Sequence, residues 1–431
     1  MNRPRRPHTL SGRAVRAVED IGSVLGPGVV TGAADDDPSG IATYSQAGAQ
    51  FGYGLLWTQL LSYPLMVAVQ LVCAHIGRVT GSGLAHAMTR CFPRFAVTLL
   101  VGILLVANVI NLGADLTAMG AAAALVVGGG RHLFVIAFAL LTVGLLLFVS
   151  YARYANVLKW LTFSLFAYVG VILLVRIDWN QALLGLVWPR HFGKDGLLTI
   201  VALFGTTISP YLFFWQSSQE AEDLAAEHRR PLSRAPRSAP RQFRRMRVDT
   251  IVGMGFSELI AMAIIITSAA TLHVQGVTEV ASAEQAAEAL RPIAGQFAFA
   301  LFALGIIGTG LLALPVLAGS AAFAVSEARG WKSGLERKPK QARAFYAIIV
   351  AAVAIGVLFD WSGVDPMRAL FWSAALNGVC AVPIMVAMMI LSGNATVMGA
   401  LPVKRKTRFF GWGAVLVMLV AVVMMVRDLF R

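Results

Sequence analysis

The sequence predicts an all-α, polytopic membrane protein of about eleven transmembrane helices. Three observations carry that reading. Of 431 residues, 57% are apolar and only 13% charged, and the mean hydropathy is +0.71, whereas soluble domains run at roughly 45–50% apolar and about 25% charged. The apolar residues fall into long runs, and backbone that faces lipid must be helical. The basic residues gather in alternate loops. Together these exclude a cytosolic enzyme, a disordered chain and a disulfide scaffold. The net charge of +14 suggests nucleic-acid binding until the positions of the charges are read.

A span needs about 20 residues. Runs of that kind lie near residues 22–47, 54–77, 95–127, 132–150, 154–175, 196–217, 249–272, 297–324, 343–359, 367–391 and 410–427. The start is not a cleavable signal, because its basic residues lead into a segment interrupted by Asp35-Asp36-Asp37. Basic residues in short loops set orientation. With the N-terminus inside, 28 of the 36 Lys and Arg residues fall on the inner side, including eight arginines from Arg229 to Arg247. Arg131, Arg176, Arg190, Lys194, Arg291, Arg368, Arg427 and Arg431 remain on the other side. The expected protein is therefore a multi-pass inner (plasma) membrane protein with its N-terminus cytoplasmic and its C-terminus opposite. Residues 1–20 form a basic cytoplasmic tail and residues 219–248 an Arg-rich cytoplasmic loop, read as disordered between Arg229 and Arg247. The rest is one transporter domain, with repeat one over 21–176, repeat two over 196–391 and an extra helix at 410–427. The bilayer thus accounts for the charge, with no nucleic acid and no obligatory protein partner. Cys73, Cys91 and Cys380 have no paired spacing and read as small buried hydrophobes.

Two spans carry helix breakers. The first reads Gly26-Pro27-Gly28 and then Asp35-Asp36-Asp37-Pro38-Ser39-Gly40. Proline removes a backbone donor, glycine relaxes the dihedrals, and charge at that depth marks function. The sixth reads Gly205-Thr206-Thr207-Ile208-Ser209-Pro210-Tyr211. Interrupted helices at corresponding positions, five spans apart, point to an inverted-repeat transporter with its site between the breaks. Asp37, freed carbonyls and the hydroxyls of Thr207, Ser209 and Tyr211 make an oxygen-rich, negative cage, which suits a hard cation. Asp35 and Asp36 point about 200° and 100° away from Asp37 on a helix, so all three cannot face one ion, and Asp36 is placed along the ion path. Asn108, Asn111 and Asp115 share a helical face, either bonding between helices or lining that path. Glu258 is an intramembrane acid without a local basic partner. Gln216, Glu220, Glu222 and Asp223 end the sixth span, as a solvated helix end or as an acidic exit vestibule. No P-loop, Ser-His-Asp set or H-E-x-x-H is present, so neither an enzyme nor a resident cofactor is expected.

These residues resemble the NRAMP divalent-metal transporters. The match runs through Gly26-Pro27-Gly28, Asp37-Pro38, Gln46-Ala47-Gly48-Ala49-Gln50-Phe51-Gly52-Tyr53 and Leu55-Leu56-Trp57, and again from Gly205 through Pro210 to Ser217-Ser218. The resemblance implies a LeuT-type inverted repeat with broken helices 1 and 6, working by alternating access. It carries Asp37 over as a metal ligand, with Ser39 beside it. The chain departs where the family writes Asp-Pro-Gly-Asn, because Gly40 stands in the place of the Asn ligand. It departs again where the family writes Met-Pro-His and this chain has Ser209-Pro210-Tyr211. A further family histidine falls at Gln216, and a family polar ligand falls near Asn377. Losing the thioether removes the soft ligand that favours Mn²⁺, Fe²⁺ and heavier ions, and a phenol does not exchange protons near neutral pH. The pattern resembles the NRAMP-related magnesium transporter branch, which implies Mg²⁺ and Mn²⁺ uptake without strict proton coupling. A proton-coupled Mn²⁺/Fe²⁺ carrier, or an amino-acid or amine carrier of the same fold, is the alternative.

Overall fold

A computed structural model describes residues 27–149, 164–189 and 193–429. The basic tail, Gly26, Arg153 and Lys159 with the first half of the fifth predicted span, Arg190 and Arg431 lie outside the described residues. The main helices are α1 (Pro27–Asp35), α2 (Pro38–Phe51), α3 (Leu56–Thr80), α4 (Arg94–Val127), α5 (Arg131–Phe148), α6 (Phe166–Leu174), α7 (Lys194–Thr207), α8 (Pro210–Ala226), α9 (Ala239–Ser268), α10 (Ala298–Arg329), α11 (Arg343–Phe359), α12 (Pro366–Leu391) and α13 (Arg405–Leu429). Among the described residues no strand occurs, and nine helical stretches are long and apolar enough to cross a membrane. The first of these, Pro38–Thr80, contains both α2 and α3, joined by a 3₁₀ turn at Gly52–Leu55.

Both predicted breaks are present. Pro38 cannot donate a backbone hydrogen bond and favours the first turn of a helix, so α1 ends at Asp35 and α2 starts afresh at Pro38 with Asp37 as its N-cap. Pro210 does the same for α7 and α8, with Ser209 in the extended N-cap position. The interrupted helices lie at the centre. The apolar stretch within Lys194–Ala226 is 94% buried, against 22% for that of α5, so lipid-facing residues concentrate on the peripheral helices.

Glycine lets the central helices meet closely. A Cβ on Gly32 would lie 2.2 Å from the Gly253 carbonyl oxygen, which brings α1 onto α9. A Cβ on Gly205 would lie 2.1 Å from the Ala374 carbonyl oxygen, which seats α7 on α12. Such small-residue contacts are the usual route to tight packing where no hydrophobic force acts between helices.

The Arg229–Arg247 segment departs from the disordered loop expected. Its second half is helical, because α9 begins at Ala239, ten residues before the predicted span. Ala239, Gln242 and Met246 are buried at helical spacing while Arg241, Arg244 and Arg247 remain exposed. A buried stripe at that spacing makes an amphipathic helix, which arginine does not oppose. The solvated-end alternative for the close of the sixth span also gives way. Glu220 is 1% exposed and pairs with Arg78, which is 4% exposed.

Candidate metal centre

The first break is built around Asp37. Its Oδ1 accepts hydrogen bonds from the Gly40 amide at 2.8 Å and the Ser39 hydroxyl at 2.6 Å. Its Oδ2 accepts from Asn111 Nδ2 on α4 at 3.1 Å, and the Tyr211 hydroxyl of α8 lies 3.3 Å away. The Tyr211 hydroxyl is also 3.1 Å from the Ala34 carbonyl, so this residue joins the end of α1 to the start of α2. Ser373 of α12 donates to Asn111 Oδ1 at 2.7 Å and fixes the amide with its nitrogen toward Asp37. Asp115, one turn on from Asn111, lies beside Asp37 and the Ser39 amide. Asp37, Ser39, Gly40, Asn111, Asp115 and Tyr211 are thus brought together, all in the buried interior.

The second break meets the first differently. The Ser209 hydroxyl turns back onto its own helix, donating to the Gly205 and Thr206 carbonyls at 2.8 and 2.7 Å. Thr207 does likewise, toward the Leu203 carbonyl at 3.0 Å. The neighbouring Thr206 is the hydroxyl that faces the first break. It is buried without a partner, and a Cβ on Gly40 would stand 3.1 Å from its Oγ1. Sequence reasoning passed over Thr206 for Thr207, and only helical phase separates them. Asn377, on α12, is 1% exposed and both ends of its amide are unpartnered. A buried amide in that condition is costly unless a ligand or water completes it.

A second acidic group lies on another flank. Ser257 of α9 donates between Asp35 Oδ2 at 2.8 Å and Asp36 Oδ1 at 3.0 Å. Glu258 Oε1 accepts from Ser62 of α3 at 2.9 Å. Gln216 lies below the break, bonded to Thr31 and, through Nε2, to Glu220 at 3.1 Å.

The two ends of the bundle differ. Beyond α2, a cavity of about 470 Å³ reaches in to Ala42 and is lined by Gln46, Gln50, Asp195, Thr199, Glu279 and Arg368. The opposite end carries a cluster of ion pairs beside a cavity of about 620 Å³ lined by Gly83, His86, Ser218, Glu222 and Glu327. Arg78 pairs with Glu220, lies 3.3 Å from Asp223 and 3.9 Å from Glu227, and also donates to Gln242. Asp249 Oδ2 and Oδ1 accept from the Gly28 and Val29 amides at 2.7 and 3.3 Å, which caps α1.

Among the described residues, no group of three or more His, Cys, Asp or Glu side chains is arranged to hold a metal by itself. The break instead offers the carboxylates of Asp37 and, beside it, Asp115, with hydroxyls, amides and backbone carbonyls. This is a hard-oxygen set in which water completes the coordination.

The chain matches the family model described as natural resistance-associated macrophage protein-like over residues 28–428. A divalent metal cation transporter MntH from Klebsiella pneumoniae is 28% identical over 94% of this chain and 93% of its own length. One from Verminephrobacter eiseniae is 30% identical over 66% of this chain and 64% of its own. Among solved structures, a manganese transporter from Eremococcus coleocola superposes with a TM-score of 0.74 at 17% identity, covering 98% of this chain and 89% of that one. A nucleobase-cation-symport-1 family transporter superposes at 0.55. The fold is the LeuT-type arrangement with broken helices 1 and 6. The family match spans nearly the whole sequence, and the chain belongs to the Nramp family.

Proposed function

We propose that this protein carries divalent metal cations across the inner membrane, with Mg²⁺ and Mn²⁺ favoured, as a secondary transporter or uniporter working by alternating access. One observation carries the preference for hard ions: the groups found around Asp37 are hydroxyls and amides, from Ser39, Gly40, Asn111 and Tyr211. Ser209 stands where the family's methionine would, and even its hydroxyl is turned onto its own helix. Mg²⁺ gives up water reluctantly and is held through one or two carboxylates with several waters kept. Asp37 supplies the carboxylate, and Asn377, Thr206 and backbone carbonyls supply neutral oxygens. The cation enters from the cavity beyond α2, taken as the outer side from the inner bias of the basic residues. It leaves past α1 once the contacts around Arg78 part.

The test is Mg²⁺ influx into proteoliposomes, with Mn²⁺ and Cd²⁺ as competitors and a pH dye inside. Mg²⁺ entry competed by Mn²⁺ without acidification is expected. The second reading, a proton-coupled Mn²⁺ carrier, is favoured by the manganese transporters among the solved structures. Entry of Mn²⁺ or Cd²⁺ with acidification, and no Mg²⁺ entry, establishes that reading instead.

A further inference from the structure

Asp35, Asp36 and Glu258 form a group that the site at Asp37 does not use. They are 0%, 1% and 4% exposed. Glu258 is close enough to act electrostatically on both aspartates. Among the described residues, none of the ion pairs reaches any of the three. Hydroxyl groups surround them: Ser257 bridges the two aspartates, and Ser62 holds Glu258. Three oxygens are left over. Asp35 Oδ1 and Glu258 Oε2 have no partner, and neither does the hydroxyl of Tyr44. Tyr44 is fully buried and lies within electrostatic reach of Asp35, Asp36 and Glu258, and of Asp37 beyond them. A buried hydroxyl without an acceptor or donor is rare, and buried carboxylates without a counter-charge are costly. One occupant resolves both conditions.

We propose that Asp35, Asp36, Glu258 and Tyr44 form a second cation site, distinct from Asp37, that takes a hard divalent ion together with part of its water shell. The donor set is all oxygen, which selects the hard class. Water is part of the site because the three carboxylates do not converge to hold a metal by themselves. The site faces α9 and α3, while Asp37 faces α4 and α8. Asp35 and Asp36 belong to the break that carries Asp37, so an ion here sits beside the transported one and compensates the acids while the break is occluded. The inference rests on the reading of the chain as a divalent-cation carrier.

The experiment counts Mn²⁺ bound per chain by equilibrium dialysis of the purified full chain, with uptake into liposomes measured in parallel. Two ions are expected in the parent protein, one in Asp37→Ala and one in Glu258→Gln. In Asp36→Asn the weaker ion loses affinity by about tenfold or more. If Glu258→Gln fails to elute as a single species, Asp36→Asn and the parent count decide. One ion at saturation in a parent protein that takes up Mg²⁺ or Mn²⁺ overturns the second site alone, and means that protons neutralise the acids. Two ions retained in both Glu258→Gln and Asp36→Asn overturn it as well. No bound Mn²⁺ and no uptake of either ion overturn the carrier reading itself.

Discussion

The two broken helices interrupt at the same kind of residue, a proline, yet they are held by different means. At the first break, side chains do the holding. Asp37 caps α2 with its own carboxylate, and Asn111 and Tyr211 come to it from two other helices. At the second break, Ser209 provides no side-chain cap, its hydroxyl returns to its own carbonyls, and position is fixed by the contact of Gly205 with α12. The first break therefore contributes charge, and the second contributes shape and backbone oxygen. A pair of halves related by a repeat need not share the chemistry of binding equally.

The sharpest way to break this contrast is Asp37→Ala. Removing the carboxylate that caps α2 should abolish Mg²⁺ and Mn²⁺ uptake in liposomes, while the purified protein still elutes as a folded species. Uptake at the parent rate would move the site elsewhere. At the second break the equivalent blow is steric. Gly205→Val places carbon against the Ala374 carbonyl and should destabilise the protein by about 1–3 kcal/mol, read as a lowered thermal midpoint in detergent. An unchanged midpoint would mean that the contact with α12 does not position α7.

Smaller effects test the remaining half of the contrast. Ser209→Met places a thioether at the second break, and should improve Cd²⁺ competition against Mn²⁺ by about tenfold. Tyr211→Phe removes one hydroxyl from Asp37 and Ala34 and should cost roughly 0.5–1.5 kcal/mol of stability. Ser209→Ala should change transport least, because the hydroxyl it deletes is already engaged by its own helix. A loss under Ser209→Ala as large as that under Asp37→Ala would show that the second break also binds through its side chain.

Much of this was legible from the residues. Proline and glycine punctuate both breaks, so their positions could be read directly, and a carboxylate beside a proline in an apolar run has few structural uses. Helices α4, α10, α11 and α12 follow their apolar runs closely, since long hydrophobic segments leave little choice of boundary. Other features were hidden for physical reasons. Thr206 and Thr207 are the same residue type, and only the phase of α7 decides which hydroxyl faces Gly40. The start of α9 was masked by its prolines and arginines, although its buried stripe is helical. Arg78 reads as an orientation signal, and its burial against Glu220 joins residues 142 positions apart. No local pattern encodes such a pair.

The cap that Asp249 places on α1 has an electrostatic consequence. A helix start carries roughly half a positive charge on its free amides, and α1 points that end toward the Arg78 side of the bundle. Left bare, it would repel a cation moving in that direction. With the Asp249 carboxylate on the Gly28 and Val29 amides, that partial positive charge is offset. The helix that helps to bind the ion then does not present a bare positive end to its departure.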